Sequence, residues 1–141
     1  MPSGPARWLL QVSEAQAGEG YFRLPPTGSL RQEVPLPPGI RAIELAVAAR
    51  TARPGNPGLL RWSITFKGYE RDPSQIRPGE WLDADKEISN RHADVSIEQN
   101  WTRYQMDSVE VPRLARYATI SLENGGEGAE IVVDNIGLFS R

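Results

Sequence analysis

The chain has 141 residues, a formal net charge of -2 and no cysteine, which gives it room for one domain with a sizeable core and excludes disulfides and thiolate metal sites. Without a basic field to hold a phosphate backbone, nucleic acid is not an expected partner. Apolar runs fall far short of the ~20 residues of a membrane span, and MPSGPARWLLQVSE lacks the basic region and long apolar stretch of a signal peptide, so no membrane partner is expected either.

In chain order, RWLLQVSE is expected to open the domain, with Trp8 packing a first strand. LPPTG (24–28) matches a sortase sorting signal, but it precedes a strand-like segment and reads as a proline turn. SLRQEV alternates Leu30, Gln32 and Val34. PLPPG (35–39) is another turn. RAIELAVAAR sets Ile43, Leu45 and Val47 against Glu44, Ala46 and Ala48. After the loop RPGNPG (53–58), LLRWSITFKGY sets Leu60, Trp62, Ile64 and Phe66 against Arg61, Ser63, Thr65, Lys67 and Tyr69. The stretch from Glu70 to Asn100 is polar and is expected to be a surface excursion with short strands at EWLDAD and ADVSIE and with His92 in a loop. Trp101 opens a strand as a packing residue, followed by Tyr104 and Met106 on a core side. YATISLEN sets Ala118, Ile120 and Leu122 against Tyr117, Thr119 and Ser121, GGEG (125–128) is a hairpin turn, and EIVVDNIGLFSR ends the chain.

A period of two repeated this often, with no helical period, predicts an all-β fold of antiparallel strands, a β-sandwich or barrel, in a single domain over residues 1–141. In the last strand, unbroken alternation places Asp134 on one face with Val132, Ile136 and Leu138. A carboxylate among apolar neighbours needs a hydrogen bond, a cation or a metal.

Catalytic chemistry is sparse. One histidine, no cysteine and no G-x-S-x-G or H-E-x-x-H leave no activated nucleophile or metal-bound water. Asp83, Asp85 and Glu87 alternate onto one side of an extended chain, in the manner of a glycosidase pair, but an acidic edge is the simpler reading. The chain is therefore not expected to be an enzyme.

The C-terminal third, NWTRYQMDSVEVPRLARYATISLENGGEGAEIVVDNIGLFSR, resembles the end of carbohydrate-binding modules with a galactose-binding-like jelly roll, the type attached to xylanases, glucanases and polysaccharide lyases. SLRQEVPLPPG followed by RAIELAVAAR extends the resemblance to roughly residues 20 to 141. It implies a polysaccharide or oligosaccharide ligand, a covalently linked glycoside hydrolase or lyase domain and an extracellular location as part of a larger protein. In family members the Asp that matches Asp134 sits beside a structural calcium or bonds to backbone near the N-terminal strand; Glu14 is the second acid whose spacing permits a calcium role. Where they have an Asn-Gly segment with Phe-Glu or Phe-Asp, RWLLQVSEAQ stands here.

A sugar presents an apolar face and a rim of hydroxyls, so its site wants an exposed aromatic among amides and charges. Trp81 in the excursion and Tyr69 are the expected platforms. The resemblance places Tyr69, Arg61 and Lys67 on the concave sheet that binds glycan, with Glu44, Arg50, Arg103, Gln105 and Tyr117 contributing from neighbouring strands. The competing expectation is an interaction domain that packs on a catalytic domain or partner without binding sugar, favoured by Ala46 and Ala48 on the supposed binding face.

Overall fold

A computed structural model describes residues 6–7, 11–13, 16–17, 21–53, 55, 58–69, 71–80, 85–125 and 129–140. Trp8, Glu14, Trp81, Asp83 and the GGEG turn, about which expectations were stated, lie outside the described residues except for Gly125.

Two antiparallel sheets stack. The first, sheet A, has at its centre β6 (Ala42–Thr51) and β12 (Ile131–Ser140), paired with each other. On the far edge of β6 lie β9 (Thr102–Gln105) and β10 (Val109–Glu110). On the far edge of β12 lie β1 (Ala6–Arg7) and β4 (Phe22–Leu24), with β3 (Gln16–Ala17) outside β4. The second, sheet B, runs β2 (Gln11–Ser13), β5 (Ser29–Pro35), β11 (Ala115–Asn124), β7 (Gly58–Gly68) and β8 (Lys86–Ile97). The sole helical turn among the described residues, Pro73–Gln75, is capped by Asp72, and no helix is long and apolar enough to cross a membrane.

The alternating strands place their apolar residues as expected. Leu60, Trp62, Ile64 and Phe66 from β7, Ala118, Ile120 and Leu122 from β11 and Leu30 from β5 share one core with Ile43, Leu45 and Val47 of β6. Burying a side chain of this size is worth roughly 1.5–3 kcal/mol, so this core supplies the driving force for folding. The proline clusters turn where expected: Gly28 N donates to Pro25 O at 2.7 Å, and Gly39 takes a φ of 86°, open to glycine without strain.

Asn124 ties the two layers at one end of the sandwich. It is 1% exposed, and its Nδ2 donates to Leu24 O at 2.9 Å and to Ala129 O at 2.6 Å.

Three expectations change. ADVSIE is not a short strand of its own, and EWLDAD lies outside the described residues except for Glu80 and Asp85. A single twelve-residue strand, β8, occupies the edge of sheet B, and Glu80 and Asp85 lie outside it. As an edge strand with Ile97 as its one buried residue, β8 carries little apolar alternation to betray it. His92 is therefore an exposed strand residue, its Nδ1 3.0 Å from Asn90 Oδ1. Third, alternation in β12 is broken. Between Asp134 and Gly137 the strand advances three residues while β6 advances two, from Ala48 to Ala46, which is a β-bulge. Ile131 and Val133 face the core before it, and Ile136 and Leu138 pack on the core after it. Asp134 therefore stays on the outward side, half-buried, and does not join Ile136 and Leu138.

Candidate functional site

Because β6 and β7 are consecutive strands that enter different sheets, their polar sides face opposite ways. Arg61, Lys67, Tyr69 and Tyr117 lie on the outward face of sheet B; Glu44, Arg50, Arg103 and Gln105 lie on the outward face of sheet A. The structure does not bring these two groups together.

The outward face of sheet B is ordered in rows by its register. Glu123, Arg61 and Asp94 form one row; Arg31, Ser121, Ser63 and His92 the next; Glu33, Thr119, Thr65 and Asn90 the third; Tyr117, Lys67 and Glu87 the last. Short side chains fill the middle and long ones the rim, leaving an open recess of about 300 Å³ floored by Ser63, Thr65, Thr119 and Ser121 and walled by Arg31 and Glu123. Ser63 Oγ and Ser121 Oγ are 2.7 Å apart, and Asn90 Nδ2 donates to Thr65 Oγ1 at 2.6 Å. Thr119 differs: it is 4% exposed, and its Oγ1 is buried without a hydrogen-bond partner. A buried hydroxyl left unpaired costs about 1–3 kcal/mol, and Gln32 Oε1 is the other buried side-chain atom left so among the described residues.

The rim is braced. Arg61 Nε donates to Asp94 Oδ1 at 2.9 Å, and that bond first, then the guanidinium charge against partial desolvation, holds the Asp94 carboxyl below its ordinary 3.8. At one end Tyr117 Oη donates to Asp85 Oδ1 at 3.0 Å; partial burial and this bond raise the phenol above its ordinary 10.0. Next to it a register shift between Ala115 and Tyr117 places the Arg116 guanidinium 5.2 Å from the Tyr69 ring centroid. Tyr69 is thus half-buried with one face taken by a cation. A glycine at position 68 makes this end possible: a Cβ there would lie 2.1 Å from Leu114 O.

The outward face of sheet A is packed. Glu44 is 7% exposed and accepts from Gln105 Nε2 at 2.9 Å, Arg103 stacks 5.9 Å from the Phe139 centroid, and Ala46 is fully covered. Val132, wholly buried on this same side, lies in register between Arg23 and Arg50, which stack on Tyr21 and Trp101. Trp101, expected to pack, is instead 47% exposed and shares the outward parity of Arg103 and Gln105. Among the described residues no group of three or more acids or histidines is placed to hold a metal. Asp134 sits across the ladder from Ala48, and the described acids do not by themselves assemble the six to eight oxygens calcium takes.

No family model and no curated protein sequence matches the chain. Solved structures do. The fold is shared with carbohydrate-binding modules. A CBM4 structure superposes with a TM-score of 0.58 at 14% identity, over 94% of this chain and 78% of that one. The CBM22-1 and GH10 modules of xylanase 10B from Clostridium thermocellum, complexed with xylohexaose, match with a TM-score of 0.55 at 14% identity, over 94% of this chain and 24% of that one. The enzymatically active domain of tailspike protein 4 from bacteriophage CBA120 matches with a TM-score of 0.60 at 13% identity, over 94% of this chain but 18% of its own length. At such identities the likeness establishes the β-sandwich.

Proposed function

We propose that the chain is a non-catalytic carbohydrate-binding module whose site is the recess on sheet B. The observation that carries this reading is the buried Thr119 hydroxyl, unpaired in a floor of serines and threonines and ringed by Arg31, Glu123 and the Arg61–Asp94 pair. Such a surface offers donors and acceptors at close spacing, which is what a polyol edge requires. Tyr69 and Tyr117 at one end supply aromatic edges; Trp81 belongs to the same reading as a platform from the excursion before β8. Sharing a fold with a CBM4 and with the CBM22-1 module of a xylanase supports it.

In this reading the module is part of a secreted protein and tethers a glycan-degrading catalytic domain to its polymer, raising local concentration. The alternative, an interaction domain, drew on Ala46 and Ala48. Both lie on sheet A, so the cover over them leaves the recess open. Calcium enters as a proposal through Asp134 and Glu14, tested by the melting temperature in calcium against chelator.

The site is tested by affinity electrophoresis against xylan, β-glucans, pectins and alginate, with isothermal titration on the oligosaccharides that retard. Wild type is retarded by at least one polymer. Thr119→Val, which keeps the shape and removes the hydroxyl, keeps or raises the melting temperature and loses about fivefold in affinity, the worth of one hydrogen bond of ~1 kcal/mol. Absence of retardation on every polymer overturns the function, and an unchanged affinity in Thr119→Val overturns the site.

A further inference from the structure

Trp101 is the one large hydrophobic residue strongly exposed among the described residues, and its exposure is built in. Behind it, the Arg50 guanidinium sits 5.2 Å from the ring centroid, and Tyr21 meets it edge-on at 6.5 Å. Arg50 is itself fixed, its Nη1 donating to Thr51 O at 3.1 Å. The turn that carries the indole is fixed as well. Thr51 N donates to Glu98 O at 3.0 Å, Glu98 N to Tyr104 Oη at 2.9 Å, and Thr102 Oγ1 to Asn100 O at 3.0 Å. An aromatic held from behind, on a tied turn, pays little entropy when something stacks on its open side.

Beside this turn is a recess of about 360 Å³ lined by Thr51, Ser96, Glu98, Gln99 and Asn100. Its size is at the small end of ligand sites, and its lining is hydroxyl, amide and one carboxylate. Glu98 disfavours an anion. Arg50 is already committed to backbone carbonyls and to the indole. Gly55 and Ile97 also line the recess, so its surface is mixed, more polar than apolar, and suits an amphipathic ligand better than an apolar protein side chain. What remains is a neutral molecule with one apolar ring face and an edge of hydroxyls.

We infer that Trp101 and the adjoining recess form a second sugar-binding site, separate from the sheet-B recess, that takes a neutral pyranose ring at a chain end or branch. The inference rests on the carbohydrate reading above and deepens it: a module with two sites on different surfaces holds a polymer by two points, with avidity that short oligosaccharides do not report.

The test is a titration of the full chain, followed by amide and indole NMR shifts, with xylohexaose, β-1,4-galactotriose and a mixed-linkage β-glucan tetrasaccharide. At least one of these moves two groups of signals with separate dissociation constants: Ser63, Thr65 and Thr119, and Glu98, Gln99, Asn100 and the Trp101 indole. Trp101→Ala weakens the second group at least tenfold and leaves the first unchanged; Trp101→Phe retains part of the binding, which a folding defect would not explain. Thr119→Val weakens the first group about fivefold and leaves the second unchanged. Shifts at sheet B alone, or sugar binding at the second group that Trp101→Ala does not weaken, overturn the second site and leave the proposed function standing. Shifts at Trp101 alone support the second site and overturn the sheet-B assignment. Shifts nowhere overturn both.

Discussion

Val132 and Thr119 hold comparable places on opposite faces of the sandwich. Each lies on a central strand of its sheet, each points away from the shared core, and each is nearly sealed from water. Val132 is sealed under long side chains: Arg23 and Arg50 flank it, and two aromatic rings stack on their guanidinium groups. Thr119 is sealed by its neighbours in the sheet, with an open recess above and no partner for its hydroxyl. One face spends its side chains on covering itself; the other keeps short side chains where cover would be easy. Stability explains the first arrangement, and the second is the one that the proposed sugar site uses.

Asn124→Ala breaks the comparison at its root, because it unties the layers that carry both faces. Two buried carbonyls lose their donor, and the expected cost is about 3 kcal/mol in chemical denaturation. Val132→Ala should cost about 2 kcal/mol if the cover on sheet A is real packing. Thr119→Val should raise stability by about 1 kcal/mol, since no protein bond is lost and an unpaired buried hydroxyl is removed, and the contrast in sign between these two variants measures the difference between the faces. Asp85→Asn should bring the Tyr117 phenol back toward 10.0, read by ultraviolet titration, and Tyr117→Phe should remove that high-pH transition. The smallest effect concerns Asp94. Its folded pKa is depressed, so its contribution is present above 3.8 and is lost as pH falls through the lower folded value; Arg61→Ala abolishes this acid-side dependence and raises the Asp94 midpoint in carboxylate NMR.

The inward sides of β5, β6, β7 and β11 were legible because period-two apolar residues have one way to be buried. The outward side of β7 was legible for the same reason, and with it Arg61, Lys67 and Tyr69. What local pattern does not encode is which sheet a strand joins. Glu44 and Arg61 look alike in sequence, and the six residues, 52–57, that join β6 to β7 carry the chain to the other sheet and place them on opposite faces. β8 was illegible as a long strand because an edge needs little apolar alternation. Trp101 was misread although a signal existed: it shares the parity of Arg103 and Gln105, opposite to Tyr104 and Met106. Thr119 was placed on the correct side, but its isolation among paired serines and threonines is a matter of three dimensions.

The bulge in β12 makes the chain's tolerance of length changes lopsided. One residue more in β12 than in β6 separates Asp134 from Gly137. Removing a residue there would restore a regular ladder and still send Ile136 and Leu138 inward. Adding one would leave a regular ladder only by sliding the strand's last half two residues along β6, so that gaps and insertions of equal size at this position should have unequal fates.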